Sequence, residues 1–187
     1  VISFAEIRYS IAGALRLARG DAGGLDHFDN SVERFWRSFW AAAICAPMYF
    51  VILFTVERPT PVKDWTYTVL ATGLTYVILW ALWPLAMIYL SQWMDRAGHY
   101  YRYVQAINWA QVVGTALQFV VVLLAQGIGG QGLAVLLVLA WGAVLVYEWY
   151  ISRLALEVTG LQAVGVVAFN LVLTYVVSSG VAAMARA

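Results

Sequence analysis

The chain has 187 residues, 63% of them apolar and 11% charged, with a net charge of +1 and a mean hydropathy of +0.78. Soluble domains carry about a quarter charged residues, so this composition excludes an ordinary water-soluble globule. The near-zero charge also offers no basic surface for nucleic acid.

The first thirty residues read as a cytoplasmic amphipathic helix and turn (1–30), ahead of a transmembrane domain (31–187). Ser3-Phe-Ala-Glu6 is a capping box, with Ile2 and Ile7 placed as a hydrophobic staple. Phe4, Ile7, Ile11, Leu15 and Ala18 share one helical face, and Glu6, Arg16 and Arg19 lie off it. The pattern ends at Gly20, where Asp21-Ala-Gly-Gly makes a turn. A charged lead, apolar core and small-residue cleavage site are missing, so a signal peptide is not expected. Two readings stand for this helix. It lies in the inner headgroup plane, Arg16 and Arg19 drawn to anionic lipid, or it docks on a cytosolic partner. Asn30, with Glu33 three residues on, is a second start signal and leads into the first span with little break.

Five apolar stretches follow, at about Phe35–Val56, Thr66–Leu90, Ile107–Gln126, Leu133–Ile151 and Leu161–Met184. A helix needs about 20 residues to cross the hydrocarbon core. In lipid only helices or closed barrels satisfy their backbone polar groups. The expected fold is therefore all-α, an integral bundle of five transmembrane helices preceded by an interfacial one. Cys45, the single cysteine, lies in the first span and reads as a small packing residue. The second span carries Thr68, Thr72 and Thr75, then Trp80, Trp83 and Pro84, with a bend expected at the proline. Glu57-Arg-Pro-Thr-Pro-Val-Lys-Asp64 is expected as a rigid external turn. Gly127-Ile-Gly-Gly-Gln-Gly132 has the spacing of a dinucleotide fingerprint but follows a membrane helix, so it reads as a hairpin.

With the N-terminus inside, Arg8, Arg16, Arg19, Arg34, Arg37, Arg96, Arg102 and Arg153 face the cytoplasm, against Arg58, Lys63 and Arg186 outside. This asymmetry predicts N-in, C-out. Arginine almost replaces lysine, a bias typical of GC-rich bacterial coding, which suggests a bacterial inner membrane. Tryptophans and tyrosines at the span ends read mainly as interfacial anchors.

Polar residues within spans are the functional candidates. On the third span Asn108, Gln111, Thr115 and Gln118 fall within about 80° of one another on a helical wheel, with Gln105 at the inner end. On the fifth, Asn170, Thr174 and Ser178 form an i, i+4, i+8 row. The two rows are expected to face each other, either as interhelical packing bonds or as the wall of a polar pathway. Ala106, Ala110 and Gly114 form a separate seam for close helix approach. Glu148, the only acidic residue inside these limits, is expected near the inner interface, paired with Arg153 or Arg102. His27 and His99 lack metal-ligand spacing, and neither a catalytic triad nor a pair of intramembrane carboxylates can be assembled. An enzyme, a metal and a cofactor are therefore not expected.

The layout resembles the bacterial branch of the Yip1-like membrane proteins. The resemblance is carried by Tyr100-Tyr-Arg-Tyr-Val-Gln-Ala entering the third span, and by Trp141–Ser179, where Leu156-Glu-Val-Thr-Gly-Leu-Gln-Ala precedes the last helix. The Asp-Leu-Tyr-Gly-Pro type motif of the eukaryotic members is absent, and no functional residue carries over. The resemblance implies a non-enzymatic protein acting through membrane-protein partners, self-association or the bilayer. The expected role is a scaffold, an accessory subunit of a membrane complex or a membrane-organising factor. The alternative is a small transporter or channel with a polar pathway between the third and fifth spans.

Overall fold

The computed structural model describes residues 2–56, 65–125 and 130–184. The predicted external turn at 57–64, residues 127–129 of the predicted hairpin and Gln126 before it lie outside the described residues. Among the described residues there are seven α-helices and no strand: α1 (Phe4–Ala18), α2 (Val32–Ser38), α3 (Trp40–Val56), α4 (Trp65–Trp93), α5 (Tyr100–Ala125), α6 (Gly130–Ala155) and α7 (Gly160–Met184). Five stretches are long and apolar enough to cross a membrane, at Val32–Thr55, Val69–Trp93, Ala97–Leu124, Ala134–Ala155 and Gly160–Val181. The chain is an all-α integral membrane bundle.

The N-terminal caps follow from local chemistry. Ser3 Oγ accepts the Glu6 N–H at 3.2 Å, starting α1, while the Glu6 carboxylate turns to Arg37 Nη1 at 2.9 Å. At the other end Gly20 takes φ +79°, the Asp21 N–H reaches the Arg16 carbonyl and the Gly20 N–H that of Leu17. That is a Schellman cap, and the left-handed residue is glycine because a Cβ is strained there. The second start signal is shifted by one residue. Ser31 caps α2, its Oγ accepting the Arg34 N–H at 3.3 Å. Asn30 instead accepts the Arg102 N–H at 3.2 Å and so caps the first turn of α5. The first span is broken at Phe39 into α2 and α3.

Helix α5 is the axis of the bundle: 39% of its apolar window is buried, against 6% for α7. It packs against α1, α2, α3 and α6. Its Tyr103, Val104, Ala106, Ile107 and Ala110 form the core with Phe35, Ala41, Ile151, Leu156 and Val166. Gly114 is buried, and a Cβ on it would lie 3.3 Å from Val144 on α6, so the small-residue seam does bring these helices close.

One end of the bundle gathers α1, the 3₁₀ turn Ala22–His27, the 94–99 turn and the 156–159 turn. Tyr147 and Tyr150 of α6 donate to the Ala14 and Gly20 carbonyls, both at 2.6 Å, and Arg102 pairs with Glu157 at 3.0 Å. Hence Arg8, Arg16, Arg19, Arg34, Arg37, Arg96, Arg102 and Arg153 belong to this end or to the helix turns that run into it.

Helix α1 has two working faces. Ser10, Gly13, Ala14 and Leu17 are buried against the bundle and the 3₁₀ turn, a face about 110° round the helix from the predicted stripe. Within that stripe Ile7 and Ile11 are half-buried, whereas Phe4 is 74% and Leu15 40% exposed. The reason is steric. Small residues admit the 3₁₀ turn: a Cβ on Gly13 would lie 2.5 Å from His27 Cβ. The large apolar residues stay on the outer side, with exposed Arg8 and Arg19 beside them.

Candidate functional site

The polar row on α5 divides by depth. Nearest the arginine end, Gln105 is 2% exposed and donates to the Asp29 and Ser31 carbonyls at 2.7 and 3.3 Å. Asn108, 3% exposed, donates to Ser38 Oγ at 2.9 Å, and that hydroxyl donates to the Phe35 carbonyl. These two amides hold α2 onto α5. Asn108 does not reach α7, contrary to expectation, because the break at Phe39 brings Ser38 to it first.

One turn further, Gln111 Nε2 donates to Glu148 Oε1 at 2.9 Å, and Asn170 Nδ2 donates to Glu148 Oε2 at 3.4 Å. The rows on α5 and α7 do meet, but through an acid on α6 that lies between them. The expected interfacial ion pair is not formed. Arg153 lies over the Trp149 ring, 5.7 Å from its centroid, and Arg102 is taken by Glu157 and the Ala155 carbonyl. The partners of Glu148, Gln111 and Asn170, lie within the apolar stretches Ala97–Leu124 and Gly160–Val181, and the helix that carries the acid continues past the expected end at Ile151 to Ala155.

Beyond Glu148 the helices part around a cavity of about 270 Å³. All of Asn108, Gln111, Thr115 and Gln118 line it, as do Glu148, Asn170 and Thr174. From Asn108 to Gln118 this wall spans ~15 Å of helix rise. Aromatic residues complete it: Tyr49 from α3, Tyr76, Trp80 and Trp83 from α4, and Trp141 from α6. Pro84 also lines it, and its carbonyl accepts the Tyr100 hydroxyl at 3.0 Å. Ser178 is exposed on α7 and lies away from the cavity, one turn past the last inward position of its row. Cys45 is 2% exposed and forms part of the wall.

The arginine end carries its own electrostatics. The Arg16 guanidinium, 2.6 Å from Asp21, holds that carboxyl below the usual range, helped by the Gly23 N–H. Burial acts on Asp29 in the opposite direction, but bonds from Ser31 and Arg34 outweigh it and lower that group too. Among the described residues no group of three His, Cys, Asp or Glu is arranged to hold a metal ion.

No family model matches the chain, and neither curated proteins nor solved structures contain a match. The Yip1-like likeness is one of layout, and it supplies no residue to this cavity. The aromatic wall was not anticipated: its tryptophans and tyrosines had the composition of interfacial anchors. The spacing Tyr76, Trp80, Trp83 (i, i+4, i+7) was the available signal of a shared face.

Proposed function

We propose that this protein is a small, non-enzymatic transporter or channel of the bacterial inner membrane, with its arginine-rich end and N-terminus in the cytoplasm. A small polar solute enters the cavity between α3, α4, α5, α6 and α7 and is held beside Glu148. The observation carrying this reading is Glu148, a carboxyl 8% exposed, bonded among the described residues by two amides and facing a cavity lined by four further polar side chains. Ionisable residues inside a membrane are costly and face functional cavities. Packing alone would be served by amide pairs such as those of Gln105 and Asn108. In this reading α1 is the contact with the bilayer surface, Phe4 and Leu15 entering the headgroup region and Arg8 and Arg19 meeting anionic lipid.

The test is solvent access. In a Cys45→Ala background, cysteines at Gln118 and Thr174 are expected to react with a membrane-impermeant thiol reagent from one side of sealed vesicles. Failure of both to react refutes the reading.

A second reading, a scaffold or accessory subunit of a membrane complex, is supported by α4 and α7. Only 11% and 6% of their apolar windows are buried, which leaves two long faces for a membrane-protein partner or a second copy. A stoichiometric partner in mild detergent, together with an unreactive cavity, favours it over transport.

A further inference from the structure

We infer that the cavity is a site for a small organic monocation, an alkylammonium compound with its charge against Glu148 and its alkyl groups against the aromatic wall. This rests on the solute-binding reading above and names the class of solute.

The first support is charge. Both Glu148 oxygens are met by amide nitrogens, at 2.9 and 3.4 Å, an arrangement that suits a carboxylate once a cation is bound. Among the described residues no lysine, arginine or histidine lines the cavity. The nearest arginine in sequence, Arg153, is engaged with Trp149, and Arg102 with Glu157. A buried carboxylate with only neutral partners is costly in a low-dielectric setting, and a bound cation supplies the missing countercharge.

Wall chemistry is the second support. Three tryptophans and two tyrosines line the same space, and aromatic faces attract alkylammonium groups through the ring quadrupole. An alkylammonium group uses both the carboxyl and the rings, whereas a bare metal cation would use only the oxygens of the carboxyl, amides and hydroxyls. Size is the third. About 270 Å³ lies at the small end of ligand pockets, suited to a molecule of a few carbons around one nitrogen.

The experiment uses the full chain in nanodiscs and measures binding by tryptophan fluorescence and calorimetry. The probes are choline and its uncharged isostere 3,3-dimethylbutan-1-ol, which has carbon in place of nitrogen. Choline is expected to bind, the isostere to bind at least about tenfold more weakly, and Glu148→Gln to abolish the difference. Trp141→Leu is expected to weaken choline further, since that ring forms part of the wall. Equal binding of both probes, or choline binding that survives Glu148→Gln, overturns the inference. The comparison of probes on the unmodified chain does not depend on any variant folding. Cysteine access at Gln118 separates the two levels. Labelling without choline binding refutes the cation class and leaves a solute cavity standing, whereas neither labelling nor binding refutes both.

Discussion

Replacing Glu148 by Gln, with no solute present, is expected to leave the protein as stable as before or more stable. The carboxylate accepts from Gln111 at 2.9 Å and from Asn170 at 3.4 Å. Glutamine offers one acceptor and one donor in the same shape, and either neighbouring amide can turn over to present its oxygen. At most the longer bond weakens, and interhelical bonds in membranes average about 0.6 kcal/mol, with a maximum near ~1.7. Against that loss, the substitution removes a charge without a countercharge, and burying an ion costs several kcal/mol even after relaxation, by rough estimate. Desolvation is the larger quantity, so the net change is expected between zero and a gain of about 1 kcal/mol. Glu148→Leu differs, because both amides lose their acceptor. Each unmet donor costs about 1–3 kcal/mol in a soluble core, less in a membrane where the unfolded reference finds partners, so a loss of about 1–2 kcal/mol is expected. Denaturant unfolding of the full chain in mixed micelles, followed by tryptophan fluorescence, measures both. A glutamine variant less stable than the leucine variant would refute the reasoning, since Glu148 would then hold the fold through its charge.

Three further outcomes are expected. In a Cys45→Ala background, a cysteine at Gly23 is labelled only from the cytoplasmic side and one at Ala185 only from outside; the reverse result, or labelling of both from one side, refutes the proposed orientation. Gly13→Val drives a Cβ to within 2.5 Å of His27 Cβ, costing about 1–3 kcal/mol of overpacking, and hydrogen exchange should rise across residues 4–28 and not in α5. Gly98→Ala, whose Cβ meets nothing within 4 Å, serves as the unaffected control. Finally, Asp21 and Asp29 have lowered pKa values in the fold. Their stabilisation is therefore complete above the ordinary carboxylate range and is lost as pH falls through it towards their lowered values. Exchange in residues 19–34 should increase on acidification before that of the bundle, and Asp29→Asn should reduce the pH dependence.

The five spans were legible because bilayer crossing demands length and an absence of charge, which a sequence states directly. Their ends were less so. The helix of the third span, α5, starts at Tyr100, ahead of the apolar stretch from Ile107, because Arg102 is satisfied by Glu157 and the Ala155 carbonyl and so does not have to leave the bundle. Gln111 and Asn170 were recognisable as inward-facing from their periodicity. That Glu148 joins them depends on which helices are neighbours, which hydropathy does not record. Helix α1 marks another limit: apolar periodicity finds the greasy face, but Ser10, Gly13 and Ala14 make the protein contact because they are small.

The cap that Asn30 places on α5 sets an order of assembly. Its acceptor oxygen waits for Arg102, 72 residues later, and the Ala14 and Gly20 carbonyls wait for the hydroxyls of Tyr147 and Tyr150, more than 120 residues later. The segment ahead of the first span thus reaches its final place only after the fourth span has been made. Until the fourth span is inserted, residues 2–30 lack these partners and remain open to proteases. Ribosome-bound chains stalled before Tyr147 should be cleaved there, while chains extended past Tyr150 should be protected, so docking of this segment reports that most of the bundle has been built.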